Sequence, residues 1–207
     1  MAVIKSTNFL KNFLTLTTFA TLLFSCSTES SQFVGLVRDQ PLDVSKVYLP
    51  EETNASPAEP FNTVAANGEL LILFFGYTNC PDLCPTTLAD IRAAFARIGD
   101  DAKRVSVAFV TVDPERDTAQ LLTNYVGSFV DRFHILRTTD FNELQVAKDA
   151  FLASSAIQKT SDGKVEVSHT ATAYVVDDSG LVVDELPFGV GADGFENDLK
   201  ILLREIN

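Results

Sequence analysis

Residues 70–85 read LLILFFGYTNCPDLCP, and this stretch decides how the surrounding chain folds. Its first six residues form an unbroken apolar run that Gly76 closes, which predicts a strand buried on both faces. Beyond the stretch, apolar residues recur at helical spacing as far as Gly99, so a helix is expected to begin at the second cysteine. Cys80 and Cys84 should therefore lie where a strand turns into a helix N-terminus.

Strands and helices alternate on the C-terminal side of this stretch. Residues 105–112 (VSVAFVTV) predict a second buried strand, and Asp117 with Gln120 resembles a capping box for a helix through Val126. The elements expected next are a strand over Phe133–Leu136, a helix capped by Asp140, a turn at Asp162–Gly163, a hairpin of strands over Ala171–Val176 and Leu181–Asp184, and a C-terminal amphipathic helix. This order predicts an α/β, thioredoxin-like fold in which a central mixed β-sheet is flanked by helices, with an N-terminal extension.

The first residues resemble an export signal. Lys5 and Lys11 precede an apolar stretch over residues 13–24 that is shorter than a transmembrane helix requires, which favours a signal peptide over a permanent anchor. Residues 23–26 read LFSC, similar to a bacterial lipobox, and this predicts lipid attachment to Cys26. Lipidation also explains an odd count of three cysteines in an exported chain. We expect an extracytoplasmic protein that is lipid-anchored to the bacterial cell membrane.

The organisation that follows has three parts: a lipoprotein-type signal peptide over 1–25, a lipidated tether over 26–31 and a single domain over 32–207. Within the domain, residues 50–60 contain three prolines without an apolar period and are expected to form a loop. The chain has 46% hydrophobic residues, including sixteen Phe, which is enough to build a core without disulfides or a structural metal. Any metal is therefore expected to be functional.

The charge of the chain excludes one class of partner. The formal net charge is −12, so nucleic acid is not expected to bind. The acidic residues are scattered, which favours a solubilising surface over an acidic docking face.

The cysteine pair allows three interpretations: inert buried thiols, a redox dithiol, or two ligands of a soft metal ion. Prolines and Asp82 around the thiols disfavour the inert interpretation, and a helix N-terminus favours the thiolate form. Redox dithiols normally have two intervening residues, whereas Cys80 and Cys84 have three. The pair alone leaves disulfide exchange and metal binding open.

The two histidines of the chain differ in their surroundings. His134 lies inside the apolar run over 133–136 and is interpreted as structural, whereas His169 precedes a predicted core strand and is the better ligand candidate. Two thiolates with one imidazole suit Cu(I), and an added oxygen or water suits Cu(II). A structural zinc site would ordinarily require a fourth protein ligand.

Three motifs together resemble the Sco/SenC family of copper chaperones for cytochrome oxidase assembly. They are GYTNCPDLCP at 76–85, TVDPERDT at 111–118, and the His169 segment followed by YVVD at 174–177. They occur in family order, and the resemblance covers about residues 70–207. The segment over 33–67 matches the family pattern poorly.

The resemblance implies a membrane-tethered thioredoxin-like domain that holds one copper ion, as Cu(I) or Cu(II), with Cys80, Cys84 and His169. It implies as partners a copper-donor protein and the subunit of cytochrome c oxidase that carries the binuclear copper site. Asp113 matches the Asp-Pro position of the family and is expected near the site, or to cap the strand end. Asp82 is either a polar neighbour of the metal or a turn-former.

One departure from the family concerns the residue before the ligand histidine. Many members have an acidic residue there, where this chain has Ser168, so a carboxylate that would orient the histidine is missing.

Three functions follow from these residues. The first is a non-enzymatic metallochaperone that delivers copper to the oxidase. The second is a thiol-disulfide oxidoreductase that keeps the cysteines of the oxidase site reduced, in which Cys80 and Cys84 are the redox-active pair and His169 is dispensable. The third is a redox sensor in which the two cysteines cycle between dithiol and disulfide.

Overall fold

The computed structural model describes residues 32–52 and 59–206. The elements of this part are β1 (Tyr48–Glu51), β2 (Glu59–Asn62), β3 (Leu70–Gly76), α1 (Leu83–Ile98), β4 (Val105–Thr111), α2 (Ala119–Gly127), β5 (Phe133–Leu136), α3 (Phe141–Ala150), β6 (Ser155–Lys159), β7 (Val165–His169), β8 (Thr172–Val176), β9 (Val182–Pro187) and α4 (Gly191–Glu205). The predicted signal peptide, the tether and Cys26 lie outside the described residues. Over residues 32–52 and 59–206, the structure contains no helix with the length and apolar character needed to cross a membrane.

Seven strands form one mixed sheet in the order β2-β1-β5-β4-β3-β8-β9. The three neighbours β5, β4 and β3 are parallel, and the other pairs in the sheet are antiparallel. Strands β6 and β7 pair only with each other, as an antiparallel hairpin. Helix α1 packs against α4, α2 lies beside β5, and α3 lies beside β1. The predicted thioredoxin-like architecture is confirmed.

The centre of the sheet consists of β3 and β4, and every residue of both strands is buried. Their continuous apolar sequences explain this position, because a strand covered on both faces has no solvent-facing side that requires polar residues. Burying one Leu, Ile or Phe side chain contributes about 1.5–3 kcal/mol, so these two strands dominate the core. The end of β3 is thereby a rigid support for the cysteine turn that follows it.

The predicted capping box at Asp117 is wrong. Helix α2 is capped by Thr118, whose hydroxyl accepts the Leu121 N–H at 3.3 Å. The Asp117 side chain is fully buried instead and accepts hydrogen bonds from Thr78 and Thr111. Several donors in the interior satisfy a buried carboxylate better than one exposed helix N–H does.

The predicted loop over residues 50–60 is wrong at both of its ends. Pro50 lies in β1 and Pro60 in β2, and the two prolines face each other in the register of the pair. Proline lacks an N–H and is therefore tolerated mainly on edge strands, and β2 is the outermost strand of the sheet. Pro60 thus marks a sheet edge, and Pro50 lies opposite it in β1.

The opposite edge of the sheet, β9, is covered by the segment that enters the domain. Leu36 and Glu185 exchange backbone hydrogen bonds of 2.9 and 3.1 Å, and the Val182 N–H donates to the Leu42 carbonyl at 2.9 Å. Val44 continues this contact through a 2.8 Å bond to the Gly180 carbonyl. Residues 36–44 therefore occupy hydrogen-bonding groups that would otherwise leave a strand edge open.

The buried Asp198 carboxylate holds the start of this covering segment, and the buried Asp184 carboxyl packs against it. Asp198 accepts the backbone N–H groups of Val34, at 2.9 Å, and of Gly35, at 2.7 Å. Asp184 is fully buried and has no donor among the described residues, and the charge of Asp198 acts on it. A Cβ at position 35 would overlap the Asp184 carboxylate, so the close approach of the chain requires glycine. A proton on Asp184 supplies the missing donor.

Burial, together with repulsion from Asp198, raises the pKa of Asp184 from 3.8 to about 8. The folded chain therefore retains a proton between about pH 4 and pH 8 that the unfolded chain releases. Retaining this proton makes the free energy of unfolding fall as pH rises through that window, by up to about 1.4 kcal/mol per pH unit.

We expect Asp184→Asn to flatten this pH dependence, because an amide of the same shape carries its own donor at every pH. Urea unfolding at pH 5, 6.5 and 8 measures the effect, with the exposed Asp131→Asn as the control that keeps the wild-type slope. If the free energy of unfolding changes with pH equally in the wild type and in Asp184→Asn, Asp184 does not retain a proton in the folded chain.

Candidate metal centre

The two cysteines lie in the turn that joins β3 to α1. The Cys80 N–H donates to the Tyr77 carbonyl at 3.2 Å, and Cys84 is the second residue of α1. The Cys84 N–H donates to the Cys80 sulfur at 3.3 Å, so one unpaired N–H of the helix N-terminus points at the first thiol. Both thiols are free; Cys80 is 8% exposed and Cys84 is fully buried.

Gly76 allows Cys84 to come this close to the end of β3. A Cβ at position 76 would lie 2.7 Å from the Phe109 ring and 3.0 Å from the Cys84 sulfur. Neither neighbour can yield easily, because the ring and the thiol are both buried in the core. The glycine that ends the apolar run is thus required by packing at the site.

His169 is the last residue of β7 and faces the cysteines from the hairpin. Its Nε2 lies 3.5 Å from the Cys84 sulfur, and its Nδ1 lies 2.9 Å from the Thr170 carbonyl oxygen. Because a carbonyl only accepts, Nδ1 carries the hydrogen and Nε2 presents its lone pair to the thiols. Phe74 and Tyr77 contact the imidazole in edge-on geometry, at centroid distances of 6.1 and 5.7 Å.

The three candidate ligand atoms lie within 4.8 Å of one another. This is close enough for one metal ion to touch the sulfurs of Cys80 and Cys84 and the Nε2 of His169. A set of two sulfurs and one imidazole is soft and selects a soft cation. A cleft of about 320 Å³ opens in front of Cys80 and His169, so a fourth ligand can approach from outside.

Desolvation controls protonation at this site. Burial raises the pKa of the Cys84 thiol, and the Tyr77 N–H only partly opposes it. The helix N-terminus was expected to favour the thiolate; at Cys84 burial outweighs it. Burial also lowers the pKa of His169, so its imidazole is neutral. The metal-free site thus contains a neutral thiol and a neutral imidazole, and a bound cation replaces the thiol proton.

The other predicted site residues are not hydrogen-bonded to the three ligands. Asp82 is the exposed N-terminal capping residue of α1, and it lines the cleft in front of Cys80. Asp113 is buried and pairs with Arg116, and its pKa is raised by burial against the opposing effect of that guanidinium. His134 lies on β5 and contacts Glu51 of β1, 2.7 Å away, in agreement with its structural interpretation.

The side chain of Ser168 is exposed, and no hydrogen bond joins it to His169 among the described residues. The Thr170 carbonyl orients the imidazole at Nδ1 in this chain.

Asp117 is the residue near the site that sequence patterns missed. Its carboxylate accepts the Thr78 N–H at 3.2 Å, the Thr78 hydroxyl, and the Thr111 hydroxyl at 2.6 Å. These bonds fasten the turn two residues before Cys80 to the end of β4. The acidic residue within TVDPERDT looked like a helix cap, and only its buried surroundings reveal that it positions the cysteine turn.

This fold and this site define a class: thioredoxin-like domains in which two thiols of the cysteine turn and one histidine form a soft metal site. Residues 54–204 match the model of the SCO1/SenC family. The chain therefore belongs to the SCO1/SenC family.

Individual relatives agree with this assignment. The SCO2-like protein of Rickettsia prowazekii is 29% identical over 173 residues, which span 83% of each chain. The solution structure of apo Sco1 from Thermus thermophilus has a TM-score of 0.69 at 29% identity and covers 83% of this chain and 97% of that chain. The structure of Bradyrhizobium japonicum ScoI with copper bound has a TM-score of 0.62 at 30% identity, covering 74% and 96%.

We expect Asp117→Asn to loosen the cysteine turn, because an amide nitrogen would face donors that now bind a carboxylate oxygen. Such a loss of buried hydrogen bonds costs about 1–3 kcal/mol of unfolding free energy. It should also speed iodoacetamide labelling of Cys80, followed by mass spectrometry.

Thr111→Val is the matched control, since it removes a donor to the same carboxylate from outside the turn. It should destabilise the fold while Cys80 labelling stays at the wild-type rate. Equal labelling in both variants would show that Asp117 acts on stability alone.

Proposed function

We propose that the chain is a copper metallochaperone: it binds one copper ion through Cys80, Cys84 and His169 and passes it to the copper-site subunit of cytochrome c oxidase. The observation that carries the proposal is the convergence of two thiol sulfurs and the Nε2 of a neutral, oriented imidazole within 4.8 Å. Family membership and the copper-bound relative at 30% identity support copper as the cargo.

The ligand set fits both uptake and release of this cargo. Three soft ligands satisfy Cu(I), whereas Cu(II) is accommodated when an oxygen or a water completes the set from the open cleft. The same opening lets a thiolate of a partner approach the ion and replace the ligands one at a time, so that copper is never free in solution. Loading releases the proton of Cys84, and unloading returns it.

The location of the chain belongs to the same proposal. A signal peptide over 1–25 and a lipid on Cys26 would hold the domain at the outer face of the cell membrane. The whole chain carries a formal net charge of −12, and this acidic character favours solubility of the domain beside this surface. Mass spectrometry of the membrane fraction tests the anchor, since a lipidated Cys26 would be the first residue of the mature chain.

Copper titration of the reduced, purified protein tests the metal site. We expect one Cu(I) or Cu(II) ion per chain and a thiolate–copper absorption band with Cu(II). His169→Ala should weaken binding by about 100-fold or more, because even the loss of a residue that only supports a ligand costs about 10–100-fold.

His134→Ala is the matched control for this titration. It removes the other histidine of the described chain, which contacts Glu51 and is not among the three converging ligands, and should leave copper affinity unchanged. If both histidine variants bind copper as the wild type does, the three-ligand site is wrong.

The two free thiols support a second candidate, a thiol-disulfide oxidoreductase. Cys80 is the more exposed thiol and receives the Cys84 N–H, so it would attack a disulfide of the partner and release one partner thiol. Cys84 would then attack the Cys80 sulfur and release the second partner thiol, leaving the Cys80–Cys84 disulfide. Disulfide reduction that survives His169→Ala, in a protein that binds no copper, would favour this function.

A further inference from the structure

The outer edge of β7 has no partner strand in the described part of the chain. At the two ends of the hairpin, the Thr170 N–H donates to the Ser154 carbonyl at 2.9 Å, and the Thr160 N–H donates to the Lys164 carbonyl at 2.8 Å. Hydrogen-bonded pairs recur every second residue in an antiparallel ladder. Lys164 and Thr170 are in such pairs, so Val165 and Val167 are in the pairs between them that lack hydrogen bonds, and their backbone groups point away from β6. This is the geometry of a strand that can accept a further strand.

A cleft of about 530 Å³ lies against the hairpin and reaches this edge. Both hairpin strands line it, with Ala156 and Gln158 from β6 and residues 165–168 from β7, and Arg116 from the loop after β4 lines it from the main domain. The Nη2 of Arg116 is buried and has no hydrogen-bond partner among the described residues, although its Nε pairs with Asp113. A guanidinium nitrogen buried without an acceptor is unfavourable, so a shift of this side chain towards an oxygen acceptor in the cleft would be stabilising.

The cleft is continuous with the metal centre. Tyr77, Pro81, Val167 and Ser168 line both the cleft and the opening in front of Cys80 and His169. Strand β7 itself ends at the ligand His169. A peptide that followed the β7 edge would therefore pass directly in front of the copper ligands.

We propose that an extended segment of the copper-receiving protein binds in this cleft as a third strand on β7, with an oxygen acceptor of the segment against Arg116. This inference rests on the proposed chaperone function, because it names the surface that the receiving protein uses. The Val165 N–H and carbonyl and the Val167 N–H bind the backbone of the segment. The Val167 carbonyl already accepts the Tyr77 hydroxyl at 3.4 Å, which fixes the outer edge of the strand.

Strand addition explains how transfer is directed. Backbone hydrogen bonds hold the partner in one register, and this register places its thiols in front of His169 and Cys80. The other edge of the hairpin, on β6, offers the same backbone groups at Ile157, which does not line the cleft although its neighbours Ala156 and Gln158 do. A proline on the β7 edge can therefore be compared with a proline on the β6 edge.

The test uses the purified protein and the purified copper-site subunit of cytochrome c oxidase from the same organism. Val165→Pro removes an outward N–H and blocks the β7 edge without breaking the ladder to β6. It should weaken the complex at least about tenfold in calorimetry, a decrease that corresponds to the loss of one or two net hydrogen bonds. Copper titration of the variant should match the wild type.

Ile157→Pro is the control, since it makes the same change on the opposite edge, and it should leave the affinity of the complex within about twofold. In the wild-type complex, the amide protons of Val165 and Val167 should exchange at least about tenfold more slowly than in the free chain.

Several outcomes would overturn the inference: equal weakening by both prolines, unchanged exchange of the β7 amides within the complex, or absence of a complex. If exchange of the β7 amide protons slows as the concentration of the chain rises without the partner, a second copy of the chain occupies the edge instead. These outcomes are separable from failure of the chaperone function, because that function fails when the wild-type chain binds no copper.

Discussion

The packing of Gly76 against the Cys84 sulfur and the Phe109 ring is the constraint on which the site depends. A side chain at position 76 would push against both neighbours, so β3 can reach the thiol only where it lacks one. This contact fixes where the strand stops, where the cysteine turn begins and how deeply Cys84 lies. Asp117 supports the same turn from the side of β4, and the Thr170 carbonyl orients the histidine that completes the set.

The depth of Cys84 also determines the chemistry. A thiol in contact with a helix N-terminus in water would ionise readily, whereas burial keeps this thiol protonated until a cation arrives. Binding at Cys84 therefore exchanges the thiol proton for the metal ion. An aqueous opening on one side is sufficient for this exchange, because only Cys80 and the face of His169 need to be reached.

Much of the fold followed from short sequence patterns, and the failures have a common physical cause. The apolar runs predicted β3 and β4, and Asp140 caps α3 as expected, because each of these features depends on local sequence. Cys80, Cys84 and His169 were identified from chemistry and family motifs, and the structure brings them together. Asp117 was misinterpreted because a carboxylate before a helix looks like a cap unless its buried donors are known. The β7 edge and the unpaired nitrogen of Arg116 depend on contacts between distant segments, which no local pattern encodes.

Placing His169 in a hairpin outside the main sheet has a consequence for the lifetime of the protein. Cys84 and His169 are 85 residues apart in sequence, so a metal ion held by both acts as a cross-link between the core and the hairpin. A cross-link that closes so long a loop restricts the unfolded chain strongly, and a ligand specific for the folded state shifts the equilibrium further towards it. The empty chain opens more readily than the loaded one and is the better substrate for proteases. Proteases would thus remove chains without copper and spare those that carry it.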